Sequence, residues 1–234
     1  MKIERIELFP VVLPLEMVLT LPRGASRTAA EGKQIILVKM TGDDGTVGWG
    51  EAGPSRRWSA ETTYSTYTTL QHFLIPVVEG RDAFDIAGIH DAMNMEIAPG
   101  LDPGQPIAKG AIDMAVHDLV CKNLGINLQT YLGSKRSNRV ELSYLVSAPN
   151  PDEIAKVVEK GKSEGFKAFK VKVGTDPDLD IAKVRMAMEV ADGGVVWPDA
   201  NQGYDLDRAL RAARGFENLG VELFEQPIPM TDVY

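Results

Sequence analysis

The sequence predicts two units of different architecture: an α+β unit over residues 1–130 and an array of parallel βα units over residues 131–234. Three observations carry this. Strand-like runs joined by a tight turn come first and helical runs follow, the order expected of an α+β unit. After Leu132-Gly133 strands and helices alternate strictly with short connections, which implies a parallel sheet. The later strands also end in polar residues, where the loops of such an array carry chemistry.

The elements follow in order. Ile3 to Leu13 alternates as a strand does and is ended by Pro14. Glu16 to Gly32, with Pro22, Arg23, Gly24, Ser26 and Arg27, reads as loop. Gln34 to Thr41 is a strand, Gly42-Asp43-Asp44-Gly45 a turn, and Thr46 to Ala52 the returning strand, giving a three-stranded antiparallel meander. After the loop Gly53-Pro54-Ser55-Arg56-Arg57-Trp58, Ser59 is the expected N-cap of a helix that runs to about Phe73 and stops before Pro76. A second helix is expected over Phe84 to Glu96. A third covers Ile107 to Asn123, with Ile107, Ala111, Met114, Ala115 and Leu119 at helical spacing and Gly125 as its C-cap. In the second unit the expected strands are Val140 to Ser147, Ala168 to Val173, Gly194 to Pro198 and Val221 to Glu225. The helices between them are Asp152 to Ser163, Asp178 to Val190 and Asp205 to Phe216.

Composition narrows the function. The net charge of −8 argues against a nucleic-acid binder or a protein that coats anionic membranes. No apolar run is long enough to span a bilayer, and no signal peptide is visible after Met1-Lys2-Ile3-Glu4. The single cysteine, Cys121, excludes an internal disulfide and a cysteine zinc cluster, so a cytoplasmic setting is the simplest fit. His72, His90 and His117 follow no metal-ligand spacing. Cys121, Met93, Met95, Met186 and Met188 read as packing residues.

The chemistry gathers at the strand ends. Lys170 and Lys172 lie two residues apart in the strand Ala168 to Val173, so both ammonium groups point to one face. Like charges held together disfavour protonation, and a lysine neutral near neutral pH can act as a base. The alternative is an edge strand with a lysine-rich solvent face. The next strand runs into Asp199-Ala200-Asn201, and the one after it into Glu225-Gln226-Pro227. In a parallel βα array these ends share one rim, so Lys170, Lys172, Asp199, Asn201 and Glu225 should converge there. Asp199 and Glu225 are hard oxygen ligands suited to Mg²⁺, with Mn²⁺ as the substitute. Taken singly, Asp199 could instead cap its own turn and Glu225 could simply open a loop.

These motifs resemble the enolase superfamily, and within it the mandelate racemase/muconate lactonizing enzyme group. The resemblance rests on Lys170-x-Lys172, Asp199-x-Asn201 and Glu225-Gln226-Pro227. It extends to Gly48-Trp49-Gly50-Glu51-Ala52 and to Ala111 through Leu119 leading to Leu132-Gly133. It implies an α+β capping domain followed by the first half of a (β/α) TIM-type barrel, cut after the fourth strand. It implies Mg²⁺-dependent removal of the α-proton of a small carboxylate through an enolate. Racemisation or epimerisation of an amino-acid-like carboxylate comes first, with cycloisomerisation of a muconate-type diacid or dehydration as alternatives. The pairing of a Lys or His base with Mg²⁺ is an established property of this superfamily. Lys172 would be the acid/base, Lys170 would tune it and hold the substrate carboxylate, and Asp199 and Glu225 would bind the metal. Asn201, Arg23, Arg56 and Trp58 would meet substrate, the last three from two cap loops that also carry Arg27 and Arg57. Trp58 either offers its ring to a cationic group or packs under its loop. A homo-oligomer is implied as well.

The same resemblance places a third metal ligand on a fifth strand and an opposing lysine on a sixth, neither of which this sequence contains. The expectation is either a fragment of a longer enzyme or a site completed by another chain, which the codons after Tyr234 would decide, and, for these 234 residues alone, weak Mg²⁺ binding and little turnover. Tight metal binding with turnover would contradict it. Two other classes stay open: a Schiff-base aldolase using Lys172, which borohydride trapping would reveal, and an inactive homologue kept as a binding module.

Overall fold

The computed structural model describes residues 1–15, 20–21, 24–25, 32–56, 58–100, 103–133, 137 and 139–230. They fall into two compact units: Met1–Val18 with Ser26–Asn138, and Leu19–Ala25 with Arg139–Tyr234.

In the first unit β1 (Ile3–Leu13), β4 (Lys33–Gly42) and β5 (Val47–Ala52) form an antiparallel sheet in the order β1-β4-β5. The turn between β4 and β5 closes through Gly45 N–H to Gly42 O, with Gly45 at φ +84°, where a side chain would be strained. Within the stretch expected as loop, β2 (Thr20–Leu21) and β3 (Gly24–Ala25) pair as a minimal hairpin.

The first helical stretch departs from expectation at both ends. Its N-cap is Thr62, whose hydroxyl accepts from Ser65 N–H while Ser65 Oγ accepts from Thr62 N–H; Ser59 instead donates to Ser55 O and Glu61 O. The stretch does not stop at Pro76. It runs as α1 (Thr63–Thr69), a π-turn over Leu70–Leu74, and α2 (Ile75–Val78). Ile75 N–H reaches back to Leu70 O, and this wider turn lets the helix pass a proline that has no N–H and would crowd a regular α-turn. Two longer helices follow, α3 (Ile86–Glu96) and α4 (Pro106–Leu124), and then the short α5 (Leu128–Tyr131).

Helix α4 is the centre of this unit. It buries Ala108, Ala111, Ile112, Ala115, Val116, Leu119 and Val120 in the core it shares with the sheet and the other helices, and Cys121 is also buried. Its start is capped from far away: the buried Glu61 carboxylate accepts from the Ile107 and Ala108 N–H groups. A carboxylate there satisfies orphan donors and complements the helix dipole. Met93 packs in the core as expected, but Met95 is 86% exposed, because it points from α3 away from that core.

Gly48 and Gly50 explain how closely α4 lies on β5. A Cβ on Gly50 would run into Ala111 O, and one on Gly48 into Ala115 O. Trp49, between them, faces the other side and is 42% exposed.

The second unit alternates strand and helix: β6 (Tyr144–Val146), α6 (Pro151–Ser163), β7 (Ala168–Lys172), α7 (Pro177–Ala191), β8 (Val195–Asp199) and α8 (Leu206–Asn218). The strands are parallel in the order β6-β7-β8. Asn150, Asp176 and Asp205 cap the three helices through their side chains. One sheet face carries Phe169, Val171, Val196 and Ala200 into a core with Ile154, Val158, Val184, Ala187, Ala212 and Phe216. The other face carries Lys170, Lys172, Trp197 and Asp199.

The expected fourth strand, Val221 to Glu225, is reduced to one parallel bridge, Asp199 to Glu225. Glu225 N–H donates to Pro198 O, and Ala200 N–H donates to Glu225 O. Pro198 turns its carbonyl toward this segment and has no N–H to add on the same side, so the ladder loses a rung there. Among the described residues no helix is long and apolar enough to cross a membrane.

Gly50→Ala is expected to lower the unfolding free energy by about 1–3 kcal/mol, the usual cost of forcing a group into a filled contact. Urea denaturation would measure it. A stability equal to the parent's would mean that α4 does not depend on this close approach.

Candidate active site

Register makes the site. Across β7 and β8, Lys170 lies opposite Trp197 and Lys172 opposite Asp199, and the bridge places Glu225 beside Asp199. Since side chains two apart share a face, these five project together. Lys172 Nζ donates to Asp199 Oδ2 at 2.6 Å and to Asn201 Oδ1 at 2.7 Å. Lys170 Nζ lies 3.0 and 2.9 Å from the two oxygens of Glu225 and 3.7 Å from Asp199 Oδ2. The cluster is largely withdrawn from water: the side chains of Lys172 and Asp199 are 12% and 1% exposed.

The edge-strand reading of the lysines does not survive, because β7 is the central strand of its sheet. The charge balance also differs from the sequence expectation. Each ammonium is held by a carboxylate, so the repulsion between them is offset by Asp199 and Glu225.

The turn after β8 fixes Asn201. Asp199 Oδ1 accepts from Asn201 N–H at 3.0 Å, and Asn201 Nδ2 donates to Asp199 Oδ2 at 3.1 Å. Asp199 is therefore both the turn cap and the partner of Lys172. Asn201 and Gln202 stand at φ +45° and +65°, a region that asparagine tolerates better than most residues. Gln202 N–H donates to Gln226 O and Tyr204 N–H to Pro227 O, which ties this turn to the Glu225-Gln226-Pro227 segment.

Arg56 and Trp58 belong to the first unit, in the loop after β5, while Arg23, Arg27 and Arg57 lie outside the described residues. Trp58 is 49% exposed among the described residues.

Two features were missed from sequence. Trp197 donates its indole N–H to Glu225 Oε2 at 3.0 Å, and the Lys170 ammonium lies 5.7 Å from its ring centroid. Counting back two residues from Asp199 along the strand reaches Trp197 on the same face. The second is a buried latch beneath the end of β7. Asp180, fully buried on α7, accepts from the N–H groups of Gly174 and Thr175, from Lys183 Nζ and from the Tyr204 hydroxyl. Only the N-terminal position of Asp180 on its helix hinted at this. Burial, and then the hydrogen bond to Asp180, push the Tyr204 phenol well above its ordinary value.

Asp199 and Glu225 fit a hard divalent cation. Mg²⁺ is commonly held by one or two carboxylates with waters completing its shell, and this pair already has a cation, the Lys170 ammonium, within 3.7 Å of both. Among the described residues no set of three or more His, Cys, Asp or Glu side chains is grouped to hold a metal.

The chain belongs to the mandelate racemase/muconate lactonizing enzyme family of the enolase superfamily: residues 10–133 match that family's N-terminal domain and residues 153–234 match the enolase C-terminal domain-like family. Its second unit is accordingly part of a (β/α) barrel and its first the α+β domain that precedes it. The L-Ala-D/L-Glu epimerase of Bacillus subtilis is 34% identical over the whole of this chain and 62% of its own. The N-succinyl-L-Arg/Lys racemase of Bacillus cereus is 30% identical over the whole of this chain and 61% of its own. A dipeptide epimerase from Enterococcus faecalis, solved with Mg and the dipeptide L-Leu-L-Tyr, superposes with a TM-score of 0.88 at 28% identity, covering 99% of this chain and 63% of that one. The chain thus spans about three fifths of the length of the relatives it matches.

Tyr204→Phe should cost about 1.5–3 kcal/mol near pH 8, the net worth of a buried hydrogen bond to a charged acceptor. Because the folded phenol titrates above the unfolded one, its contribution is fully present below about pH 10 and is lost as pH rises beyond that. The stability gap between parent and variant, measured by urea denaturation at pH 8 and pH 11, should shrink. A constant gap would contradict the latch.

Proposed function

We propose that this chain supplies one half of the active site of an isomerase that removes the α-proton of a carboxylate substrate, with racemisation or epimerisation of an amino-acid-like carboxylate as its reaction. The observation that carries this reading is the bracketing of Lys172 between Asp199 Oδ2 and Asn201 Oδ1 on the face where Lys170 meets Glu225. An ammonium so held is aimed, and after giving up its proton it is a base fixed in direction. Lys172 exchanges the proton on one face of the α-carbon, and inversion requires a second acid/base in the other half of the site to serve the opposite face. Lys170 holds the substrate carboxylate and keeps positive charge beside Lys172. Asn201 orients Lys172.

Asp199 and Glu225 would hold Mg²⁺, with Mn²⁺ as a substitute. When bound, the ion supplies fixed positive charge against the substrate carboxylate and the charge that develops as the proton leaves. Residues 1–130 would serve as the capping domain and residues 131–234 as the barrel half, with Arg23, Arg56 and Trp58 selecting the substrate side chain. The epimerase reading is preferred over a muconate-type cycloisomerisation because both enzymes described above at 30% identity or more act on amino-acid derivatives. A homo-oligomer in a cytoplasmic setting completes the proposal.

The test is solvent exchange. The protein, expressed with any in-frame continuation, is incubated in deuterated buffer with Mg²⁺ and a panel containing N-succinyl amino acids, dipeptides and a muconate. NMR should show loss of the α-proton signal from one amino-acid derivative. Lys172→Ala should slow this by about 10²–10⁴-fold, the span of general base catalysis, and EDTA should abolish it. Lactone formation from the muconate would favour cycloisomerisation instead. No exchange across the panel, or full activity without Lys172, would sink the proposal.

A further inference from the structure

Trp197 has no task in the reading above, yet it is built into the cluster. It lies on the Lys170 and Asp199 face of the sheet, in register with Lys170. Its indole N–H donates to Glu225 Oε2 at 3.0 Å. The same oxygen is 2.9 Å from Lys170 Nζ, which also reaches Oε1 at 3.0 Å. Glu225 is therefore held by two donors of different kinds. One is a neutral N–H on a stiff ring anchored in β8. The other is a charge at the end of a flexible chain.

The two respond differently to an arriving cation. A divalent ion entering beside Asp199 and Glu225 repels the Lys170 ammonium, which stands 3.7 Å or less from both carboxylates. It exerts no comparable repulsion on an indole N–H. Once Lys170 lets go, little else fixes the carboxylate. Its last torsion is soft, the Glu225 side chain is 34% exposed, and its backbone is joined to β8 by one bridge.

We infer that Trp197 is a positioning residue that keeps the Glu225 carboxylate aimed while Lys170 is exchanged for the divalent cation. Metal loading is then the replacement of a resident ammonium by a metal on a carboxylate that the indole holds still. This rests on the reading that Asp199 and Glu225 bind the metal.

These 234 residues hold three tryptophans, so Trp49→Phe with Trp58→Phe leaves Trp197 as their sole indole, and the emission that Trp197→Phe removes from this background reports on Glu225 directly. Mg²⁺ should change that emission saturably, and Glu225→Gln should remove the response. With the other tryptophans restored, Mn²⁺ binding is followed by electron paramagnetic resonance, and far-UV circular dichroism checks folding. Trp197→Phe, which keeps a ring but loses the N–H, should weaken Mn²⁺ binding about tenfold, as losses of such supporting hydrogen bonds do. Lys170→Met should tighten it, since no resident cation has to leave. Folded Trp197→Phe with unchanged Mn²⁺ affinity, or Lys170→Met with no gain, overturns the inference while leaving the metal site in place. If Trp197→Phe does not fold, a Trp197 emission that ignores Mg²⁺ overturns it. Asp199→Asn and Glu225→Gln variants that bind Mn²⁺ like the parent would defeat the metal reading itself, and the inference with it.

Discussion

Asp199 is a carboxylate almost wholly removed from water, and the second unit is arranged around keeping it paired. An isolated buried charge costs several kcal/mol. Here the compensation comes from Lys172, from two bonds with Asn201 and from the nearby Lys170 ammonium. Each partner is delivered by a different device. Parallel register brings Lys172 opposite Asp199. A left-handed turn brings Asn201 back over it. The bridge at Glu225 supplies the counter-charge that lets Lys170 stay close. Disturbing any one of these leaves a charge without its match, so the geometry of the cluster is also a condition of folding.

The helices serve this arrangement from the opposite face. Phe169, Val171 and Val196 alternate with the charged residues and lock the strands onto α6, α7 and α8. The Asp180 latch holds Gly174 and Thr175, the first residues past Lys172 and Val173, so the end of β7 cannot fray away from its partner. In the first unit the equivalent rigidity comes from the approach of α4 to the glycines of β5 and from the Glu61 carboxylate at its start.

Much of this was legible in the sequence, for a simple reason. Strand periodicity is two, so Lys170-x-Lys172 declares its own face, and alternation of strands and helices puts the strand ends carrying Asp199, Asn201 and Glu225 on one rim. What escaped depends on contacts between residues far apart in the chain. Glu61 caps a helix that begins well downstream, its carboxylate meeting an N–H 46 residues on, and Tyr204 reaches Asp180 from 24 residues away. Ser59 and Thr62 offered equivalent capping chemistry within one turn of each other, and only the reciprocal bond with Ser65 decides between them. Pro76 looked like a stop because a widened turn has no local signature. Trp197 was overlooked since an aromatic residue in a strand reads as packing, although its period matched that of Asp199.

The missing rung at Pro198 has a consequence for how the two carboxylates are held. Ladders with few bonds open more readily than long ones, and Glu225 meets the β8 segment through Pro198 and Ala200, while the two residues after it are tied to Gln202 and Tyr204. Lys172 and Asp199 lie on a continuous ladder. Glu225 is held by one bridge and by its side-chain bonds to Lys170 and Trp197. The two carboxylates of the cluster are therefore fixed by different means, one by the sheet itself and the other chiefly by the donors around it.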